Sequence, residues 1–138
     1  MIPLAVAEPG YVSTPSVIGE LLTYDYAISS DTLMNRVVKE FDKHPELPGV
    51  LIVQNGEYIG ALSRHKALEE LSLPYGVELF YKRPVSSLCQ EINVSYSPLP
   101  ARMRVEEAVR YALERPVDLQ YEPLVVANWM TARFQLSI

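Results

Sequence analysis

The stretch that decides the fold is PGVLIVQNGEYIGALS, residues 48 to 63. It contains the apolar run VLIV at residues 50 to 53, which is rich in β-branched side chains and indicates a buried strand. Asn55-Gly56 follows, and this dipeptide is the strongest short signal for a two-residue β-hairpin turn. Residues 58 to 62 then form a second predicted strand, which pairs back antiparallel to the first. The stretch therefore predicts a β-hairpin with one deeply buried arm.

Helical spacing flanks this hairpin on both sides. Upstream, an extended segment at residues 24 to 29 leads into a helix that ends before Pro45. Its apolar face is formed by Leu33, Val37, Val38 and Phe41. Downstream, helical spacing resumes after Ser63 and stops near Pro74. The order of elements is strand, helix, hairpin, helix.

The same order recurs in the second half of the chain. An apolar turn at residues 17 to 22 returns at residues 85 to 89, and an extended segment is predicted at residues 94 to 97. A helix over residues 104 to 114 and a further apolar run and strand, up to residue 138, complete the second copy.

The apolar positions suggest a register for this repeat. The same number of residues separates three pairs of apolar positions: Leu33 and Val105, Val37 and Val109, and Phe41 and Leu113. Leu51 and Leu124 form a fourth pair, which is one residue further apart. A unit of this size cannot bury its apolar face alone, so we expect two similar halves that share a core.

Composition excludes several classes of protein. The 138 residues are 49% apolar and 21% charged, which is ordinary for a globular domain. The net charge of −5 makes nucleic acid a poor candidate partner. We expect a cytoplasmic chain without a membrane span or a signal peptide, because no apolar run is long enough and no basic residue precedes the first apolar stretch.

Metal and thiol chemistry have little support. His44 and His65 are the only histidines and Cys89 is the only cysteine, so no metal site of familiar spacing can be assembled. Cys89 lies beside Leu88 in an apolar stretch and is expected to fill the core. The sequence also lacks a nucleophile elbow and a phosphate loop, so we expect no enzyme.

Several of these strings resemble a known family. PGVLIV (48 to 53), GALS (60 to 63), RPV (83 to 85), VEEAV (105 to 109) and EPLVV (122 to 126) are similar to a tandem pair of CBS domains, the module named after cystathionine beta-synthase. The resemblance implies an α/β (α+β) fold. Two pseudo-twofold-related units would pack sheet to sheet, each a small three-stranded sheet with two helices.

The resemblance also implies the division of the chain. Residues 1 to 16 would be an N-terminal arm, residues 17 to 73 the first unit, residues 74 to 84 a linker, and residues 85 to 138 a second, C-terminally incomplete unit. The linker region resembles that of bacterial sensor proteins, in which such a pair precedes a diguanylate cyclase or histidine kinase domain. A homodimer is expected from the resemblance alone.

The family's ligand motif is glycine, an apolar residue, any residue, serine or threonine, two further residues and aspartate. The matching segment is Gly60-Ala61-Leu62-Ser63-Arg64-His65-Lys66, with Lys66 in place of the aspartate that contacts ribose. An ammonium group cannot accept the ribose hydrogen bonds. The resemblance places the equivalent serine of the second unit at Ser137. The candidate ligand-binding residues are Ile28, Ser30, Thr32, Ser63, Arg64, Lys66, Ser97 and Ser137.

Two interpretations of these residues remain open. Ser63 with the basic side chains that follow it can form an anion pocket at a helix N-terminus. Alternatively, Ser63 only caps that helix while the basic residues face solvent, and Ser30, Thr32 and Ser97 are helix caps as well. Ile28 can line the same cleft or belong to the core.

The leading hypothesis is a non-catalytic, ligand-sensing regulatory module. It would bind an adenosine-type nucleotide or a related small molecule between the two units, need no cofactor, and control an attached or partner signalling domain. The alternative is a ligand-free interaction or dimerisation module.

Overall fold

The computed structural model describes residues 15–92, 98–120, 122–128 and 133–137. Residues 1 to 14 of the predicted arm and the predicted extended segment at residues 94 to 97 lie outside these ranges. A 3₁₀ turn (Ile18–Glu20) opens the described chain. The next elements are β1 (Thr23–Tyr24), β2 (Ala27–Ser29), α1 (Met34–Lys43), β3 (Gly49–Gln54), β4 (Glu57–Ser63), α2 (Arg64–Ser72) and α3 (Gly76–Phe80). The second half contains α4 (Val85–Ile92), β5 (Leu99–Pro100), α5 (Val105–Leu113), a 3₁₀ turn (Val117–Leu119), β6 (Leu124–Asn128) and β7 (Arg133–Ser137).

The first sheet has three strands in the order β2-β3-β4. β2 runs parallel to β3, and β3 and β4 form the predicted hairpin. Asn55 and Gly56 both have positive φ, 54° and 79°, as a turn between twisted strands requires. A register shift between Ile52 and Val53 leaves Ile59 as an extra residue on β4. The hairpin prediction is confirmed, as is the mixed α+β class.

The second sheet has four strands in the order β1-β7-β6-β5, one more than the three expected for each unit. The additional strand is β1, in which Thr23 and Tyr24 pair antiparallel with Ser137 and Leu136. The segment predicted as one strand over residues 24 to 29 is therefore divided. Its beginning joins the second sheet, and its end, as β2, joins the first.

The two halves exchange their leading segments. Ile18, in the N-terminal 3₁₀ turn, is 1% exposed and packs in the core of the second half, with Leu99, Ala108 and Val126. Conversely, α4 inserts two fully buried side chains into the core of the first half. They are Val85 and Leu88, and they pack with Met34, Val37, Phe41, Val50, Ile52, Leu62 and Ala67. Each core is therefore completed by a segment from the other end of the chain.

Backbone hydrogen bonds hold the beginning of α4, and the residues just before it, against the first half. The N–H of Val85 donates to the carbonyl oxygen of Thr32 at 2.7 Å. The N–H of Met34 donates to the carbonyl oxygen of Arg83 at 2.9 Å. The N-terminal segment that contains Ile18 is bonded to the second half in the same way. The N–H of Ile18 donates to the carbonyl oxygen of Met103 at 2.9 Å.

Val105 completes the repeated pattern, because its N–H donates to the carbonyl oxygen of Ser16 at 3.1 Å. The halves are thus related by the same hydrogen-bonding scheme as well as by the same element order.

These bonds correct the register of the repeat. The N–H of Ser30 donates to Val53, and that of Ala101 donates to Ala127, both at 2.9 Å. Ser30 is therefore equivalent to Ala101. The number of residues that separates equivalent positions of the two halves, at and before α1 and α5, is one smaller than predicted. Val53 is equivalent to Ala127, so in the central strands that number is one larger than predicted.

The predicted register is thus wrong by one residue in both regions. Val109 and Leu113, expected in the core, are 50% and 64% exposed, whereas Ala108 is buried in the place that Val37 has in α1. Because side chains alternate along a strand, a slip of one residue also assigns a strand position to the opposite face. The partner of Leu51 is Val125, not Leu124.

A small apolar cluster joins the two sheets. Leu51 and Ala61 of the first sheet pack with Val125 of the second, and Tyr58 covers them from one side. Leu51 and Val125 are equivalent positions in the corrected register, so the cluster lies on the pseudo-twofold axis. The halves share this seam in addition to the exchanged segments.

Leucine truncations distinguish the two registers. Leu88→Ala opens a cavity in the first core, and we expect it to lower the free energy of unfolding by about 3 kcal/mol. Leu113→Ala removes a side chain that is exposed in the single chain, and it should change the free energy of unfolding of the monomer by less than about 0.5 kcal/mol. Urea denaturation of both variants measures the difference. An equal loss in the two variants would contradict the corrected register.

Candidate functional site

Ser63 caps α2. Its Oγ accepts a hydrogen bond from the backbone N–H of Lys66 at 2.9 Å, and the residue is only 2% exposed. This is the geometry of an N-cap, in which a hydroxyl oxygen satisfies an amide that has no partner within the helix. The capping interpretation of Ser63 accounts for its burial without a ligand.

Arg64 holds the end of α1. Its guanidinium donates hydrogen bonds to the carbonyl oxygens of Phe41 (3.0 Å), His44 (2.6 Å) and Leu47 (2.9 Å). It also lies over the Phe41 ring, 4.8 Å from the centroid. The last carbonyls of a helix lack partners within the helix, and a cation there also compensates the helix dipole. Arg64 therefore neither faces solvent nor points into an anion pocket with Lys66.

Lys66 lies along its own helix. Its side chain is 13% exposed, and its Nζ is 3.2 Å from a carboxylate oxygen of Glu69. His65 is exposed. The three basic residues after Ser63 thus take three different surroundings. The compact anion pocket that the sequence suggested is not assembled from them.

Ile28, Ser30 and Thr32 lie at the opposite end of the first sheet from Ser63. Ser63 pairs with Gly49, whereas the carboxyl end of β2 lies beside Val53, four residues further along β3. At about 3.3 Å per residue this separates the two groups by roughly 13 Å. Ile28 is half-buried against the first core, so the sheet does not bring the two groups into one site.

The prediction that Ser30 and Thr32 cap α1 is wrong. The N-cap is Leu33, and no side chain caps the helix. The first amides of α1 are satisfied instead by carbonyl oxygens of the chain before α4, with Met34 bonded to Arg83 and Asn35 to Tyr81. Backbone atoms from the exchanged segment have replaced a side-chain cap.

Neither candidate serine of the second half can be placed at its predicted position in a ligand site. Ser97 lies outside the described residues. Ser137 pairs with Leu124 as Leu62 pairs with Val50. Ser137 therefore occupies the position of Leu62, and its predicted equivalence to Ser63 is wrong by one residue.

A cavity of about 330 Å³ opens at the carboxyl ends of β5 and β6; we call it the Arg102 cavity. Val17 and Gly19, from the exchanged N-terminal segment, form one wall. Ala101 and Ala127, of the second half, also line the cavity. The backbones approach closely here, since a β-carbon at Gly19 would lie 2.9 Å from the Ala101 β-carbon. Both ends of the chain therefore contribute to one apolar cleft.

Two polar residues line the same cavity, Arg102 and Asn128. The exposed Arg102 follows β5, and Asn128 is the last residue of β6. The pseudo-twofold places Asp31 where the second half has Arg102, so the two halves carry opposite charges at this position. Sequence reasoning missed both residues, although each stands where a parallel strand ends, the usual edge for ligands.

A smaller cavity of about 260 Å³ lies in the first half, between β4 and α4; we call it the Gly60 cavity. Gln54 lines it, in the position that Asn128 has in the second half, and Ser86 lines it in the position of Gly19. The two cavities are therefore partly equivalent under the pseudo-twofold. Their charge differs, because no lysine, arginine, aspartate or glutamate lines the Gly60 cavity.

Ionisable groups elsewhere are shifted by local contacts. The hydroxyl of Tyr26 donates a hydrogen bond to Glu40, which lowers the pKa of that carboxyl. Burial raises the pKa of Tyr58 to about 12 and that of the Cys89 thiol to about 11, so both are uncharged at neutral pH. Within the described ranges no three histidine, cysteine, aspartate or glutamate side chains could together hold a metal. None of the helices there is long and apolar enough to cross a bilayer.

Solved structures share this architecture. The cytosolic domain of the Mg²⁺ channel MgtE in complex with ATP is similar over 88% of this chain, with a TM-score of 0.61 and 18% identity. CBSX2 in complex with AMP is similar over 89% of this chain and 90% of its own, with a TM-score of 0.62 and 15% identity. The cystathionine beta-synthase pair domain of a putative Mg²⁺ transporter from Shewanella oneidensis MR-1 covers 87% of this chain, with a TM-score of 0.55 and 16% identity.

The chain spans 46% of the MgtE structure and 63% of the Shewanella chain. No protein-family model matches the sequence, and no curated protein matches it significantly. At these identities the shared property is the fold, and the predicted tandem arrangement is confirmed at that level.

Arg64 can be tested as a structural residue. Arg64→Ala removes three charge-assisted hydrogen bonds, and we expect a loss of about 2 kcal/mol in the free energy of unfolding. Arg110→Ala, on the exposed face of α5, is the matched control and should cost less than about 0.5 kcal/mol. Urea denaturation measures both. An unchanged Arg64→Ala protein would show that the end of α1 does not depend on this side chain.

Proposed function

Because the chain has the fold of a CBS domain pair, we propose that it is a non-catalytic regulatory module that senses an adenosine-type nucleotide. Two of its structural neighbours are complexes with ATP and AMP, which supports this ligand class. The proposed output is a change in the arrangement of the two halves, passed to an attached or partner signalling domain. A diguanylate cyclase or histidine kinase domain on the C-terminal side is the form that the linker resemblance suggests.

The Arg102 cavity is the proposed binding site. At about 330 Å³ it falls at the lower end of the range of roughly 300 to 1,000 Å³ that is usual for small-molecule pockets. Its apolar walls suit one face of a purine ring, and the Arg102 guanidinium suits a phosphate, which it can bind through two parallel hydrogen bonds. The Asn128 amide offers both donor and acceptor groups to a base or a sugar.

The observation that carries the proposal is the origin of the cavity walls. Val17 and Gly19 belong to the leading segment of the first half, whereas Ala101, Arg102 and Asn128 belong to the second half. A ligand that contacts both must favour the arrangement in which they are correctly spaced. Such differential affinity is what allows a ligand to shift a conformational equilibrium.

Calorimetric titration of the purified chain tests this proposal. We expect AMP or ATP to bind with a stoichiometry near one, and Arg102→Ala to weaken binding about tenfold or more, since it removes a charge-assisted contact. Arg110→Ala is the charge-matched control and should bind as the unmodified chain does.

A second variant tests the alternative location of the binding site, at the N-terminus of α2. Lys66→Ala alters the motif residue at the N-terminus of α2 and should leave binding unchanged if the Arg102 cavity is the site. Loss of binding in Lys66→Ala with retention in Arg102→Ala would move the site to α2. A flat response to adenosine, guanosine and cyclic di-nucleotides would reject nucleotide sensing altogether.

The second candidate function is an interaction or dimerisation module without a ligand. Lys66 in place of the motif aspartate favours it, as do Val109 and Leu113, which are 50% and 64% exposed and lie one helical turn apart on α5. An apolar strip of this kind is typical of a contact surface. We propose that it forms the core of a homodimer.

Light scattering measures the dimer directly. We expect twice the 15.6 kDa mass of the chain. The double variant Val109→Lys with Leu113→Lys should be monomeric, because burying two like-charged groups at one interface is costly. Val117→Lys, exposed by 79% and outside α5, is the control and should remain dimeric. A dimer that persists in the double variant would exclude this surface.

A further inference from the structure

We propose that the apolar strip of α5, Val109 with Leu113, docks on the first half of a second copy of this chain, in a groove beside α1. The inference rests on the homodimer proposed above, and it names the surface that the strip meets. A twofold axis between the copies forms the contact twice, because each copy then presents its second half to the first half of the other. The alternative is a dimer in which the two α5 helices meet each other.

The groove runs along one face of α2 and has a volume of about 500 Å³; we call it the α2 groove. Leu68, which is 45% exposed, gives it an apolar surface. Arg64 lines it too, and the same guanidinium binds the carbonyl oxygens of Phe41 and His44, so the groove adjoins the end of α1. The lining residues are Arg64, His65, Leu68, Glu69 and Ser72.

The strip and the groove belong to different halves. In the corrected register Asp42, a charged residue, occupies the position in α1 that Leu113 has in α5. Val38 occupies the position of Val109 but is half-buried, whereas Val109 is 50% exposed. The first half therefore has the groove without a strip of its own. Contact between like halves would place strip on strip and leave the groove unfilled, whereas contact between opposite halves brings the strip to the groove.

The two equivalent helices differ in net charge. Residues 34 to 43 of α1 have three cationic and two anionic side chains, a net charge of +1. These side chains are Arg36, Lys39, Lys43, Glu40 and Asp42. The equivalent residues 105 to 114 have one cationic and three anionic side chains, a net charge of −2. These are Arg110, Glu106, Glu107 and Glu114.

This difference selects the partner surface. Two α5 helices would bring like net charges together, which is unfavourable across an interface, whereas α5 and α1 bring opposite net charges together. The cations of α1 are accessible for this contact, because Arg36, Lys39 and Lys43 are all exposed and lie three and four residues apart on one face. Charge and shape thus favour the same arrangement, with α5 of one copy against α1 and the α2 groove of the other.

Charge reversal followed by mixing tests this orientation. Lys39→Glu with Lys43→Glu makes the α1 face acidic, and we expect self-association to weaken about tenfold or more because this face would then meet an acidic α5. Glu107→Lys with Glu114→Lys makes α5 basic and should weaken self-association in the same way. An equimolar mixture of the two variants should form a heterodimer, since both of its contacts then join an acidic face to a basic one.

Light scattering is measured at a concentration at which each variant alone is monomeric. Lys82→Glu with Arg83→Glu makes the same change in net charge on exposed residues outside both helices, and this control should remain dimeric. A Lys39→Glu with Lys43→Glu variant that dimerises as the unmodified chain does would overturn the proposal. So would a mixture that stays monomeric, or an equal loss of the dimer in the control.

The groove is tested separately by Leu68→Lys. This substitution places a charge where the apolar strip docks, and we expect a monomer with an unchanged circular dichroism spectrum. Val77→Lys, at a side chain that is 50% exposed on α3, is the control and should remain dimeric. A dimer that persists in a folded Leu68→Lys protein would overturn the proposal, and if this variant fails to fold the mixing experiment decides alone.

These measurements also separate this inference from the homodimer on which it rests. A monomeric unmodified chain would overturn both. A dimer that is lost in the double variant Val109→Lys with Leu113→Lys, but is unaffected by the α1 and α2 variants, would retain the α5 interface and overturn only the partner surface inferred here.

Discussion

The structure depends on the exchange of one short segment in each direction. Ile18 completes the second core and Val85 with Leu88 completes the first, so neither half can bury its apolar face with its own residues. The same segments supply the carbonyl oxygens that satisfy the first amides of α1 and α5, which have no side-chain caps. Buried amides without partners are costly. A single arrangement of the chain therefore both packs the two cores and satisfies the first amides of the two helices. The seam and both cavities follow from it, because each is walled by an exchanged segment or by the sheets that it holds together.

Much of the fold could be predicted from the sequence, and the errors have one physical origin. The hairpin, the main helices and the duplication were evident from turn residues and periodicity, which are local properties. The register of the repeat was wrong by one residue because half of the chain is apolar, so neighbouring positions such as Ala108 and Val109 fit a periodic pattern equally well. Burial separates them, and burial depends on long-range packing. The division of residues 24 to 29 between two sheets was beyond prediction for the same reason.

The candidate site was less predictable than the fold. The motif correctly located Ser63 at a strand–helix junction, but what Arg64 contacts depends on where α1 ends in space. Ser30 and Thr32 have the residue types of helix caps, yet backbone carbonyls from the segment before α4, distant in sequence, replace them. Arg102 carries no local signal of its own, and Gly60 was identified only as the first residue of the ligand motif. Each lines a cavity because of what the fold places beside it, the N-terminal segment in one case and α4 in the other.

The exchange also constrains how the chain can acquire its structure during synthesis. The first hairpin and α1 emerge from the ribosome before Val85 and Leu88 do, so the first core remains incomplete until that segment emerges. Ile18 waits longer, because its hydrogen-bond partner Met103 is made only with the second half of the chain. Contacts this distant in sequence carry a large loop-closure entropy and slow the folding of a domain. A ribosome-bound fragment of the first half alone would expose its apolar face and be a substrate for chaperones, whereas the whole chain would fold in one cooperative step.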